Sequence, residues 1–156
     1  MTALKSLLFL MVAPGMVAGY IPLGLLRQGP QIDTGLLSYL AFPLWLVGGI
    51  ILLWSFWNFL HEGHGTPAPL DAPTELVTAG FYRYVRNPMY FGIVLILCGH
   101  FLWLGFWSLL IYAVIIFVMI HLFITLYEEP TLLRKFGNSY EEYRTRVPRW
   151  IPRLPK

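Results

Sequence analysis

Four apolar stretches, each close to the ~20 residues that cross a bilayer's hydrocarbon core, decide what this chain can become. They run from about Leu4 to Leu26, Leu36 to Leu60, Pro88 to Leu104 and Phe106 to Tyr127. Hydrocarbon offers no partner to a backbone N–H or C=O, so a spanning segment must pair its own, and all four are read as helices. The composition agrees. Only 12% of the residues are charged and 57% are hydrophobic, whereas a soluble domain carries roughly 25% charged residues. The expected fold class is all-α: a polytopic membrane protein of four transmembrane helices (about 4–26, 36–60, 88–104 and 106–127) plus a C-terminal amphipathic interfacial helix. The 156 residues read as a single membrane domain, so any active site must come from helices and short loops. The first run follows Lys5, as a signal peptide would, but it is long for one and no small-x-small cleavage site follows.

The basic residues orient the bundle. Lys5 precedes the first run, and Arg83 and Arg86 precede the third. Arg134, Lys135, Arg144, Arg146, Arg149, Arg153 and Lys156 follow the fourth, leaving Arg27 alone among the 11 Lys and Arg for the other loops. Both termini and the 61–87 loop are therefore expected in the cytoplasm. The same asymmetry accounts for a pI near 9.1, so the charge calls for no nucleic-acid partner. The single Cys98 excludes an intrachain disulfide.

The short link Trp103-Leu104-Gly105-Phe106-Trp107 makes the third and fourth helices antiparallel neighbours. Beyond the fourth, Leu132, Leu133, Phe136, Tyr140, Tyr143 and Val147 recur at helical spacing in the 130–156 tail. Gly137 suits a helix end, Ser139 and Glu142 form a capping box for a second short helix, and Pro148 stops it. Such a tail either anchors on the membrane surface or closes over a site.

Polar residues in so apolar a chain are conspicuous. Glu128 and Glu129 are expected to end the fourth helix, because Pro130 cannot donate to the Leu126 carbonyl and its ring pushes that turn open. Two carboxylates and a helix C-terminus together would suit a cation, either a ligand's or a nearby arginine's. His121, Thr125 and Glu128 fall at i, i+4 and i+7, one helical face, which either lines a cavity or bonds a neighbouring helix. Asn58 and His61 form a weaker pair at the end of the second run. His61-Glu62-Gly63-His64 lacks the spacing of a His-Glu-x-x-His zinc helix, and no metal is expected. Pro88 fits the first turn of a helix whose free amides would favour a carboxylate or hydroxyl.

The segment Tyr82-Arg83-Tyr84-Val85-Arg86-Asn87-Pro88-Met89-Tyr90-x-Gly92 resembles the Arg-His-Pro-x-Tyr region of the isoprenylcysteine carboxyl methyltransferases and related phospholipid methyltransferases. Glu128-Glu129, Phe136-Gly137, Tyr140, Tyr143, Val147-Pro148 and Pro152 are similar to that family's C-terminal signature. The resemblance spans Thr74 to about Pro152, with the motifs in order. It implies S-adenosylmethionine as methyl donor, held on the cytosolic side by Thr74, Glu75, Leu76, Val77, Tyr82, Asn87, Pro88, Met89, Tyr90 and Glu128. On the reading of the residues, Glu128, Arg86 and Tyr90 are expected to fix the donor, and Glu129 or His121 could serve as base where the acceptor is an amine. A lipophilic acceptor would reach His121, Thr125 and Asn58 from the bilayer. Two positions depart from the pattern. Asn87 stands where the family often has histidine, and Ile124 where the prenylcysteine enzymes have an arginine, which sets a prenylcysteine carboxylate aside as the obvious acceptor. The alternatives are an NADPH-dependent sterol-type reductase, which shares a similar C-terminal layout, and a non-catalytic membrane protein. Four helices could form a bundle alone or paired in a dimer.

Overall fold

A computed structural model describes residues 12, 14–25, 29–62 and 75–154. The expected start of the first helix, Lys5, Arg27, His64 and Thr74 lie outside them. Among the described residues every element is helical. Helix α1 (Met16–Leu25) is followed by a 3-10 turn, Gly35–Leu40, which runs directly into α2 (Ala41–Glu62). A second 3-10 turn, Gly80–Arg83, precedes α3 (Pro88–Leu104). Helix α4 (Trp107–Phe123) continues through a π-helical turn, Ile124–Glu128, into α5 (Glu129–Phe136). Helix α6 (Asn138–Arg146) ends the series.

Gly35–Phe59 and Trp107–Phe136 are long and apolar enough to cross a membrane; Met16–Leu25 and Pro88–Leu104 are apolar but shorter. Their outward faces carry exposed Leu46, Val47, Ile50, Leu53, Ile111, Val114, Ile115 and Met119, a surface suited to lipid rather than water.

Helix α3 is the hub and packs most extensively on α2. Their backbones meet at two glycines. A Cβ on Gly92 would lie 2.7 Å from the Gly48 carbonyl oxygen, and one on Gly48 would lie 2.8 Å from that of Gly92. Small residues let helices in lipid approach until dispersion and polar contacts hold them, since hydrophobicity gives no preference for a neighbour over a lipid tail. Leu52, Ile93, Leu97 and Ala113 fill the centre from α2, α3 and α4, with Val17 and Ala18 of α1 against them.

Helix α1 is fastened by hydrogen bonds. It contains a π-helical turn, Met16–Tyr20, and two carbonyls of that turn accept from side chains of other helices. The Tyr112 hydroxyl donates to Val17 at 2.9 Å, and the His100 ring bonds Ala18. Trp45 Nε1 donates to His100 Nδ1 at 2.8 Å, so one histidine ties α1, α2 and α3. At this end Gly105, at φ 69°, closes α3 in the left-handed conformation. The 30–34 segment laces onto the same turn, with Ile32 N–H donating to the Gly105 carbonyl at 2.9 Å and Thr34 Oγ1 to that of Leu102 at 2.7 Å.

Two local expectations are corrected. The fourth helix does not end at Tyr127, because the π turn widens the helix just before Pro130, with the Glu129 N–H donating to the Ile124 carbonyl. The ring is thereby absorbed and the helix runs on to Phe136, so Glu128 and Glu129 do not sit at a helix C-terminus. Ser139 does not open the last helix either. Gly137 is its N-cap and no side-chain cap bond forms, since a glycine at φ 53° makes the sharp turn by itself.

Gly92→Val should overpack the α2–α3 crossing against backbone and cost about 1–3 kcal/mol, read as a lower unfolding temperature in detergent. Gly49→Ala, which meets nothing within 4 Å, should not lower that temperature and should raise it slightly, since alanine favours a helix interior over glycine.

Candidate functional site

The residues singled out near Tyr90 and Glu128 gather at the end of the bundle where α3 begins. Burial there is organised by the tail. Tyr140, Tyr143 and Val147 form a buried cluster with Leu76, Leu132 and Phe136 around them. These side chains are used inside the protein rather than offered to a membrane surface. The tail lies over the 76–87 segment as a cover, the second of the two readings left open above.

Backbone bonds set the register of that cover. Arg86 N–H donates to the Pro148 carbonyl at 2.9 Å, and Arg153 N–H donates to that of Tyr84 at 3.0 Å. The Tyr143 hydroxyl donates to the Tyr82 carbonyl at 2.8 Å. The Asn87 amide donates to the Arg149 carbonyl at 3.2 Å, so Asn87 holds the tail and makes no side-chain cap for α3. Burial pushes the phenols of Tyr140 and Tyr143 up, which keeps both neutral and able to donate.

A carboxylate locks the arrangement. Arg149 grips Glu129 with two parallel bonds, Nε to Oε1 and Nη2 to Oε2, both 2.7 Å. Arg86 Nη1 approaches the same Oε1 at 3.1 Å, and the Arg86 and Glu129 side chains are only 11% and 12% exposed. A bidentate guanidinium–carboxylate pair fixes orientation as well as distance. Hydrogen bonding to Glu129 pushes the already basic Arg149 higher still, so its charge persists at every physiological pH. Arg86 also reaches the Tyr140 hydroxyl at 3.4 Å.

Glu128 is placed differently. Its side chain bonds Tyr90, while its Oε2 is buried with no hydrogen-bond partner; Arg86 Nε is buried and unpartnered as well. A buried polar atom left unsatisfied costs about 1–3 kcal/mol, and such atoms in a native fold point to a ligand or a functional strain. A carboxylate oxygen and a guanidinium N–H both waiting for partners suit a ligand that carries both signs of charge.

The π turn explains which side chains of α4 and α5 reach the tail. It inserts one residue relative to the α-helical count, so i+8 takes the place of i+7. His121 and Glu129 consequently share the tail-facing side. His121 Nδ1 accepts from Trp150 Nε1 at 3.1 Å, with Phe117 and His121 both packed near the Trp150 ring. Thr125 turns back on its own helix, its hydroxyl donating to the His121 carbonyl at 2.8 Å. The expected His121, Thr125, Glu128 face is therefore not formed. Asn58 lies apart from these, its Nδ2 buried against Gly80 without a hydrogen-bond partner. His61 packs against the Trp57 ring, one turn back on its own helix, with the rings tilted.

Among the other residues expected at the site, Leu76 packs on the tail cluster, Val77 and Tyr82 are buried, and Glu75 is exposed. Pro88 is fully buried, while Met89 and Tyr90 pack on the bundle centre. Arg149 and Trp150 were not foreseen. Their signal was present in the sequence, as a cation and an aromatic directly after the Val147-Pro148 stop, opposite an otherwise uncompensated Glu128-Glu129.

Most of the chain that builds this end of the bundle matches a known family. The phospholipid methyltransferase family model matches residues 36–139, two thirds of the chain. The chain belongs to the phospholipid methyltransferase family. It is 42% identical over 81 residues, 51% of its length, to the protein-S-isoprenylcysteine O-methyltransferase of Schizosaccharomyces pombe, covering 34% of that protein. It is 34% identical over 91 residues, 54% of its length, to the methanethiol S-methyltransferase of Crocosphaera subtropica, covering 32% of it. A Haemophilus influenzae protein of unassigned function is 44% identical over 64 residues, which is 40% of this chain and the whole of that one. The chain thus spans about a third of the length of the two relatives with assigned reactions. The family match includes Glu128 and Glu129 and ends before Arg149.

Glu129→Ala should leave two guanidinium groups without their shared partner. Breaking a fully buried pair costs ~3–5 kcal/mol, and the partial exposure of Arg149 reduces this to about 2–3 kcal/mol. Trypsin should then cleave after Arg149 and Arg153 several-fold faster than in the unaltered protein, at a lowered unfolding temperature.

Proposed function

We propose that this family member transfers a methyl group from S-adenosylmethionine to a lipophilic acceptor within the membrane. The observation that carries the reading is the pair of unpartnered buried atoms, Glu128 Oε2 and Arg86 Nε, beside Tyr90 and beneath a clamped tail. The donor carries a sulfonium, an ammonium and a carboxylate, so its charges fit this donor–acceptor set. Glu128 would hold a cationic part, Arg86 Nε an anionic part, and the 75–77, 82 and 87–90 segments would wrap the rest. Bound there, S-adenosylmethionine supplies an electrophilic methyl group.

The chain's own contribution is alignment and exclusion of water. Displacement at a methyl carbon gains most from holding the reacting atoms in line, and a covered apolar site strengthens each charge–charge contact inside it. Glu129 acts here as a positioning residue, since its two oxygens hold Arg149 and Arg86. His121 is likewise committed at Nδ1, the nitrogen a general base would use. An acceptor that needs no base, a thiolate or a carboxylate, suits such a site better than an amine. The methanethiol enzyme among the relatives acts on a thiol by its name, and the fission yeast enzyme is named an O-methyltransferase, so both chemistries occur among the proteins this chain resembles.

In the same proposal all four apolar helices span the bilayer. The 17 residues of Pro88–Leu104 give a rise of about 25 Å, at the lower limit for a span. The asymmetry of the basic residues puts both termini and the Tyr90–Glu128 site on the cytoplasmic side.

Calorimetric titration of the detergent-purified protein with S-adenosylmethionine and S-adenosylhomocysteine tests this. Saturable binding is expected, weakened about tenfold or more in Glu128→Gln, where a charge-assisted contact is lost. Absence of binding by either compound to folded protein would overturn the reading.

A further inference from the structure

On the outward side of α2, away from the packed Leu52 and Ser55, a groove of about 360 Å³ opens against the 80–84 turn. It is lined by Ile50, Trp54, Gly80, Phe81, Arg83 and Tyr84. Most of this lining is apolar or aromatic and open to the surroundings, Trp54 being 57% exposed and Ile50 49%. Gly80 keeps the floor open. It sits at φ +58°, and a Cβ there would run into Asn58 and come within 3.3 Å of Trp54 Nε1.

One charge lies at the groove, and no ion pair neutralises it among the described residues. Arg86 and Arg149 pair with Glu129, Arg144 with Glu141, and Arg146 with Glu142. Arg83 is exposed and makes no ion pair among the described residues. No Asp or Glu occurs between Leu76 and Asn87, and Glu62 is the only acidic residue of α2. The groove therefore joins a guanidinium with no ion pair among the described residues to an apolar wall of a membrane-length helix, with the Trp54 indole and the Tyr84 phenol also in its lining. Trp and Tyr favour that boundary because each has an apolar body and a polar tip.

We propose that this groove binds one anionic phospholipid, its phosphate paired with Arg83 and an acyl chain laid along Trp54 and Ile50. The site is separate from the donor site, since Tyr90, Glu128 and Glu129 are not among its lining residues. The two share one wall. The carbonyls of Tyr82 and Tyr84 accept hydrogen bonds from the tail, while Phe81, Arg83 and Tyr84 line the groove. A lipid in the groove would brace the turn on which the tail closes.

Tryptophan quenching in lipid vesicles reads the occupant directly. The protein is reconstituted in phosphatidylcholine vesicles containing a small fraction of brominated phosphatidylglycerol or, in parallel, brominated phosphatidylcholine. The Trp54 signal is taken as the difference between the unaltered protein and Trp54→Phe. The anionic lipid should quench Trp54 with about fivefold higher apparent affinity than the zwitterionic one, the preference expected from one basic residue at the surface. Arg83→Gln should bring the two lipids to parity, while Arg83→Lys should keep most of the preference. Equal quenching by the two lipids in the unaltered protein would overturn the proposal. So would a preference undiminished in Arg83→Gln, or one lost as fully in folded Arg83→Lys. Binding of S-adenosylhomocysteine in detergent should be unchanged in Arg83→Gln, which separates this site from the donor site.

Discussion

One carboxylate, Glu129, holds the functional end of this protein together. Its oxygens accept from Arg149 of the tail and Arg86 of the segment leading into α3, so one residue ties the helix to a loop and tail that are already bonded to each other. Burying three charges is costly, and a well-packed apolar substitute could be as stable. What the ionic arrangement adds to the backbone bonds that set the register is a fixed orientation of Arg149 against α5. Two oxygens and a rigid guanidinium fork fit in one way, whereas an apolar contact in a chain 57% hydrophobic would discriminate poorly between alternative seatings of the tail. With the tail seated, Glu128 is left beside Tyr90 with a buried oxygen free for a ligand.

The π turn at Ile124–Glu128 is the second constraint, and it follows from Pro130. A proline deprives the helix of one backbone donor and crowds the preceding turn, and the helix yields by widening rather than by stopping. Widening changes which side chains share a face. Without it, Glu129 would be rotated away from the side on which His121 meets Trp150, and the clamp would lose its alignment with the tail. A second π turn in α1 serves packing, where its Val17 and Ala18 carbonyls receive Tyr112 and His100.

Much of this was legible in the sequence. The apolar runs, the Gly105 hairpin and the break at Gly137 follow from hydropathy and glycine chemistry alone; the described residues show a helix in each run, two of them long enough to cross a membrane, with only the end of the first run described. The gathering of Tyr82, Arg86, Asn87, Tyr90, Glu128 and Glu129 was legible through the family resemblance. The family match to phospholipid methyltransferases supports that resemblance over the sterol-type reductase alternative. The helix register beyond Ile124 was not legible, because a 3.6-residue period assumes an unbroken α-helix and so grouped His121 with Thr125 and Glu128. For Glu129 the need for a cation was legible but the choice of Arg149 was not, since it depends on where a tail twenty residues further on comes to rest. His100 stood unnoticed in an apolar run, although a ring bonded to two other helices is the economical way to keep an imidazole inside a membrane.

On the proposed function the donor binds beneath the tail, between the start of α3 and the π turn, and Glu129 holds that cover in place. Hydrogen–deuterium exchange on the protein in lipid nanodiscs, with and without saturating S-adenosylhomocysteine, tests it most directly. The account predicts slowed exchange confined to residues 76–90, 124–129 and 147–153, with the 29–34 segment at the opposite end unaffected. Saturable binding that leaves those three segments unchanged, or that protects the opposite end instead, would contradict it.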